Sequence, residues 1–108
     1  MLQVEVPARE TATAGIGLVQ GLPRGNGELV DQVKRALISV VLNTTEGLYR
    51  SSGDRRNLLN VARGSAAEAG AALGLLAALG LVPEGKAAEL EAQLDRVRGM
   101  LFRLAQRG

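Results

Sequence analysis

The sequence contains no cysteine, histidine or tryptophan, and its two aromatic residues are Tyr49 and Phe102. Without cysteine and histidine, the chain offers no disulfide, thiol nucleophile, imidazole base or usual zinc ligand. With so few aromatic residues, aliphatic side chains and especially alanine must fill the core, and alanine favours helices that pack closely. These absences argue against an enzyme, and they predict neither a bound metal nor another cofactor.

The charge is small overall and uneven along the chain. A chain of 108 residues allows one domain with a modest core, and its formal net charge is only +2. Residues 24–63 hold seven basic and four acidic residues, which indicates a local basic zone. The chain shows no secretory leader, and its uncharged run over residues 69–82 is shorter than the roughly 20 residues of a membrane span. We therefore expect a cytoplasmic protein with no membrane partner.

The stretch from Glu28 to Arg50 organises the chain. Its apolar residues recur at three- and four-residue steps, the period of a helix, and they cover more than one face. A narrow polar edge crosses the same helix at a helical spacing. Its members are Arg35, Ser39, Asn43 and Glu46.

The remaining periodicity predicts an all-α protein with four helices. We expect an extended tail over residues 1–7 and a bundle over residues 8–108, with helices at about 8–22, 27–48, 54–79 and 83–106. Asp54 is expected to cap the third helix, Gly80 to end it in a left-handed conformation, and Pro83 to open the fourth. Short connections between four helices predict an up-down-up-down antiparallel four-helix bundle.

Two segments carry a resemblance to a known family. The first has the pattern R-A-x-x-S-x-x-x-N-x-x-E-G, matched by Arg35, Ala36, Ser39, Asn43, Glu46 and Gly47; the second is matched by Ala62, Gly64, Ser65 and Glu68. Over about residues 24–105 the chain resembles a bacterial four-helix-bundle family. That family is known from open reading frames in intervening sequences of 23S ribosomal RNA genes. The chain departs from the family pattern in its first helix, which is short, rich in glycine and free of aromatic residues.

The resemblance implies more than a fold. It implies a bundle that assembles as a homo-oligomer, commonly a ring of five subunits. A related accessory protein of diversity-generating retroelements forms such a ring, binds nucleic acid and partners a reverse transcriptase. The residues themselves also favour assembly, because the second and third helices carry apolar or small residues on more faces than one bundle can cover.

The polar residues of the second and third helices predict a structural polar layer. In an antiparallel hairpin Arg35 lies level with Glu68, and Ser39 lies level with the segment that ends at Ser65. Asn43 is then expected to face Asn57 or Asn60. We predict an Arg35–Glu68 ion pair inside the bundle or at a subunit contact. Glu46 completes the layer.

Arginines supply the candidate functional site. Arg50, Arg55 and Arg56 lie at one turn, and Arg24 is proposed to join them from the opposite loop edge. Arginine suits phosphate contacts because its planar fork donates two hydrogen bonds and keeps its charge. The arginines of the last helix, which alternate with acidic residues, are interpreted as a solvated face. These are Arg96, Arg98, Arg103 and Arg107.

The sequence leaves three classes of function open. The first is a homo-oligomeric scaffold that binds RNA or DNA through a basic rim and assists an RNA-linked enzyme such as a reverse transcriptase. The second is a protein-interaction adaptor without nucleic-acid contact. The third, a small hydrolase or metal enzyme, is disfavoured because histidine and cysteine are missing.

Overall fold

A computed structural model describes residues 4–23 and 25–107. The chain forms four helices, α1 (Glu5–Gln20), α2 (Gly27–Leu48), α3 (Ser52–Ala78) and α4 (Glu84–Gln106), and the described residues contain no strand. Helices α2 and α3 pack together, α3 packs on α4, and α1 packs on α2 and, over a smaller area, on α4. The prediction of an all-α protein built from four packed helices is confirmed.

The core is a single aliphatic cluster between the four helices. Alanines fill it where helices approach closely, and leucines and valines fill it elsewhere, as the near absence of aromatic residues requires. On α4, the apolar seam is buried at Leu90, Leu94, Val97 and Leu101, whereas Leu104 is half-buried. On α3, Leu79 continues the apolar stripe of the sequence, but it is exposed because α3 ends beside it.

Helix α1 begins earlier than the sequence predicts. It starts at Glu5, and Val4 in front of it is only 1% exposed. The predicted extended tail over residues 1–7 is therefore wrong for residues 4–7, while residues 1–3 lie outside the described residues. Burial of Val4 and Ala8 against the bundle supplies the stabilisation that a lone strand would lack.

The packing of α1 on α2 accounts for one glycine of α1, Gly15. A Cβ atom at Gly15 would lie 2.6 Å from Cδ1 of Leu37 on α2. Leu37 is buried, so its side chain has little room to move aside. The missing side chain at position 15 thus lets α1 approach α2 closely, and tertiary packing outweighs the glycine's helix propensity.

The N-terminal end of α3 differs from the prediction, whereas its C-terminal end agrees with it. The helix starts at Ser52, which has φ 55° in the left-handed region. Asp54 therefore lies in the first helical turn, and the prediction that it is the N-cap is wrong. At the other end Gly80 has φ 75°. Its N–H donates to Ala77 O and the next N–H, of Leu81, donates to Leu76 O, both at 2.9 Å, which is the predicted left-handed stop.

Candidate nucleic-acid interface

The turn between α2 and α3 brings three predicted arginines together. Arg50 and Arg56 are exposed, whereas Arg55 is half-buried and donates from Nη1 to Leu48 O at 3.4 Å. This contact helps to satisfy a carbonyl at the C-terminal end of α2, where helices leave such groups unpaired. Arg55 therefore stabilises the turn as well as adding charge. We refer to Arg50, Arg55 and Arg56 as the turn cluster.

The charge of the turn cluster is not cancelled by contact with carboxylates. Asp54 is exposed beside it, yet none of the three guanidinium groups forms an ion pair within residues 4–23 and 25–107. In that part of the chain the one ion pair joins Arg98 Nη1 to Asp95 Oδ1 at 3.0 Å. The turn cluster thus presents positive charge at the surface.

Arg24, the fourth predicted arginine, lies outside the described residues. The connection between α1 and α2 lies at the N-terminal end of α2, and the turn cluster lies beyond its C-terminal end. Helix α2 has 22 residues, which corresponds to a length of about 33 Å. The candidate interface at the α2–α3 turn is therefore described by its three arginines alone.

A groove between α3 and α4 contains basic residues that the sequence pattern alone assigns to solvent. The guanidinium carbon of Arg63 lies 4.7 Å from the centre of the Phe102 ring, a cation–π contact between the two helices. Arg63 Nη1 also donates to Asn60 Oδ1 at 3.0 Å. These two contacts hold the Arg63 side chain across the groove.

Two adjoining pockets flank the Arg63–Phe102 contact, and together they form what we call the α3–α4 groove. The first has a volume of about 370 Å³ and is lined by Arg56, Asn60, Arg63, Phe102, Ala105 and Gln106. The second has a volume of about 510 Å³ and is lined by Arg63, Asp95, Arg98, Gly99, Phe102 and Arg103. The lining thus holds four guanidinium groups and one carboxylate. Because Arg56 also belongs to the turn cluster, the two basic surfaces are continuous.

Two arginines of the groove have an unpaired donor. The Nε atoms of Arg63 and Arg98 are buried and have no hydrogen-bond partner among the described residues. A buried donor without an acceptor costs about 1–3 kcal/mol. An anion in the groove would supply acceptors to these donors if the two side chains exchanged their present hydrogen bonds, to Asn60 and Asp95, for bonds to the anion.

The groove is not evident from the sequence because its residues come from two helices. Arg98 and Arg103 alternate with acidic residues along α4, which by itself is typical of a solvated helix face. Their meeting with Arg63 depends on the register between α3 and α4. Phe102, a rare aromatic residue between Arg98 and Arg103, is the feature of the sequence that could have indicated the groove.

The polar residues of α2 and α3 form a hydrogen-bonded layer at the surface of the bundle. Ser39 and Ser65 join through their hydroxyl groups, with the two Oγ atoms 2.6 Å apart. Asn43 Nδ2 donates to both the carbonyl and the hydroxyl oxygen of Ser39, each at 3.0 Å. Asn43 therefore bonds within α2, and among the described residues no hydrogen bond joins it to Asn57 or Asn60.

The predicted ion pair between α2 and α3 does not form in the chain. Arg35 and Glu68 are both exposed, and no salt bridge joins them. Glu46 is exposed as well. Ser39 and Ser65 are half-buried between the two helices, whereas the long charged side chains are exposed to solvent, where hydration stabilises them.

Residues 4–23 and 25–107 hold neither a metal-binding cluster nor a membrane span. No group of three or more acidic side chains there is arranged to hold a metal ion. Among the helices in that part of the chain, none has the length and apolar character needed to cross a membrane.

The geometry defines a class of protein, namely all-α bundles of four packed helices. The family model of the 23S rRNA-intervening sequence protein matches residues 2–103, and the chain belongs to this family. The relationship predicted from the two sequence segments is confirmed.

A solved structure shows the same fold. It is the crystal structure of a protein of unknown function from the S23 ribosomal protein family of Bacteroides thetaiotaomicron VPI-5482. The two chains superpose with a TM-score of 0.85 at 22% sequence identity, covering 94% of this chain and 97% of that chain. The comparison with curated proteins gave no match.

Proposed function

We propose that this protein is a non-enzymatic, homo-oligomeric scaffold that binds nucleic acid through the turn cluster. The observation that carries the proposal is the grouping of Arg50, Arg55 and Arg56 at one turn, where no carboxylate of the described residues is in ion-pair contact with them. Guanidinium groups bind phosphate oxygens through paired hydrogen bonds and keep their charge at any cellular pH. A site of this kind recognises the phosphate backbone and leaves base sequence largely unread.

Assembly into a ring is the second part of this proposal. Several large apolar side chains of α2, of α3 and of the residue that follows α3 are exposed, and we call them the apolar face: Ile38, Leu42, Val61, Leu75 and Leu79. An apolar surface of this kind favours contact with another copy of the chain. We propose a homopentamer, the ring that the family resemblance implies. Repetition of the turn cluster around one rim would then convert a weak single site into an avid one.

The proposed partner, a reverse transcriptase or another enzyme that acts on RNA, is taken from what the resemblance implies. An accessory subunit of a reverse transcriptase, or of another enzyme that acts on RNA, needs to hold nucleic acid without chemistry of its own. Histidine and cysteine are absent from the sequence, which is consistent with such a passive role. The competing proposal is a protein-interaction adaptor that uses the apolar face and makes no nucleic-acid contact.

The test of nucleic-acid binding compares two double variants by fluorescence anisotropy with a labelled oligonucleotide. Arg50→Ala with Arg56→Ala removes two charges from the turn but keeps Arg55 and its contact with Leu48. The matched control, Lys86→Ala with Arg96→Ala, removes two exposed charges from α4. We expect the turn variant to weaken binding strongly and to reduce the salt dependence, and the control to bind like the unaltered protein.

The salt dependence of binding distinguishes the nucleic-acid-binding proposal from the adaptor proposal. Phosphate contacts weaken steeply as salt rises, so binding is expected to be strongest near about 50 mM salt. If the unaltered oligomer binds neither RNA nor DNA under that condition, nucleic-acid binding is refuted, and the adaptor proposal replaces it.

A further inference from the structure

The α3–α4 groove differs from the turn cluster in chemistry. The turn cluster offers only charge, whereas the groove combines four guanidinium groups with an aromatic ring. On α3, Arg56 and Arg63 are seven residues apart, which corresponds to about 10 Å along the helix. Arg98 and Arg103 continue the basic lining on α4. The groove is therefore an open basic surface that begins at the turn cluster.

Phe102 distinguishes the groove from a surface that would bind its ligand by charge alone. Its side chain is 44% exposed, although it lies on the helix that carries the most regular apolar seam of the chain. Arg63 stacks over the ring at 4.7 Å. Exposed aromatic rings next to guanidinium groups serve as platforms on which unpaired bases stack, because every base has a π-face.

The unpaired donors of the groove favour a ligand with negatively charged acceptor atoms. The Nε atoms of Arg63 and Arg98 lack acceptors among the described residues, while one terminal nitrogen of each side chain is already bonded within the protein. Phosphate oxygens are acceptors with negative charge, which guanidinium groups bind well. A ligand with both phosphates and a free aromatic face fits the groove better than one with phosphates alone.

We infer that the α3–α4 groove binds single-stranded RNA or DNA, with phosphates on its arginines and a base stacked at Phe102. The inference rests on the proposed nucleic-acid binding and deepens it by naming the form of the ligand. A duplex keeps its bases stacked inside, so it reaches the arginines of the turn cluster but not the ring of Phe102. Arg56 joins both surfaces, so one strand can extend from the turn into the groove.

The test uses a tryptophan as a reporter at the proposed stacking position. The sequence contains no tryptophan, so Phe102→Trp gives a single indole signal from the groove. Tyr49→Trp gives the matched signal from the turn, where Tyr49 is 82% exposed. Each variant is titrated near about 50 mM salt with oligothymidylate about a dozen nucleotides long, with a duplex of equal length, and with poly-glutamate.

The groove inference predicts saturable quenching of the indole at position 102 by the single strand. The duplex and poly-glutamate should leave that signal unchanged, while the indole at position 49 responds less to the single strand. Equal quenching at position 102 by single strand and duplex would overturn the inference but leave the proposed function intact. Quenching or a spectral shift caused by poly-glutamate alone would also overturn it and would identify an acidic protein as the ligand.

A second variant tests the same inference by affinity. Phe102→Leu keeps an apolar side chain but removes the ring, and circular dichroism checks that the helices persist. We expect the preference for single strand over duplex, measured as the ratio of dissociation constants, to fall by about tenfold. An unchanged ratio would overturn the groove inference. Failure of the unaltered protein to bind either form would instead refute the proposed function itself, so the two failures can be told apart.

Discussion

The hydroxyl oxygens of Ser39 and Ser65 lie 2.6 Å apart and tie α2 to α3 at the middle of the bundle. Asn43 adds a hydrogen bond to the Ser39 hydroxyl at 3.0 Å. The contact also identifies the register of the hairpin: four residues further along each helix, Asn43 lies level with Val61. Three short polar side chains thus join two helices whose facing surfaces are otherwise built from small and aliphatic residues.

Removal of one serine should weaken the bundle modestly. We expect Ser39→Ala or Ser65→Ala to lower the free energy of unfolding by about 0.5–1.5 kcal/mol, since the remaining hydroxyl loses a partly buried partner. Thr13→Ala is the matched control, because Thr13 bonds only to Arg9 O within α1 and is exposed. Chemical denaturation of the single and double variants measures the coupling. Fully additive losses would contradict a direct contact.

Loss of either member of the predicted ion pair should have little effect on the isolated chain. Arg35 and Glu68 are exposed and form no salt bridge with any residue that the structure describes, so Glu68→Ala and Arg35→Ala are each expected to change the free energy of unfolding by no more than about 0.5 kcal/mol. Thermal melts followed by circular dichroism check this. A large loss of stability in either variant would show that the side chain has a partner outside the single chain.

Two glycines of α1 should respond oppositely to alanine. At Gly15 the added Cβ atom would lie 2.6 Å from Leu37 Cδ1, and overpacking of this kind costs about 1–3 kcal/mol. At Gly17 nothing lies within 4 Å of an added Cβ atom. Alanine there should therefore raise the free energy of unfolding by about 0.4–1 kcal/mol through its higher helix propensity, without a cost from overpacking. Denaturant midpoints compare the two variants. Equal shifts at both positions would contradict the close approach of α1 to α2.

The apolar face should control assembly. Leu42 is 61% exposed, the highest exposed fraction in the apolar face, and Leu42→Glu places a charge there. We expect the unaltered protein to form a closed homo-oligomer and the variant to dissociate while its helices persist, because desolvating an unpaired carboxylate is costly. Ala92→Glu, on the exposed side of α4, is the control. Light scattering that gives a monomer for the unaltered protein at micromolar concentration would refute the proposed assembly.

The family and the fold class could be predicted from local sequence features. The apolar spacing on α2 and α4, the left-handed glycine at position 80 and the proline at position 83 act within one helix or turn, so the sequence displays them directly. The paired segments around Ser39 and Ser65 likewise carried the family resemblance. Each of these features depends on neighbours no more than a few residues away.

Sequence alone determined that this protein is an alanine-rich helical bundle, because helical period and composition are local properties of the chain. Tertiary structure decided which polar groups meet. It turned Arg35 and Glu68 toward solvent, buried Val4 at the start of α1, and brought Arg63 over Phe102. Each outcome depends on the register and rotation of one helix against another, which are set by packing across the whole core. For that reason the turn cluster was visible in the sequence, whereas the α3–α4 groove emerged only from the fold.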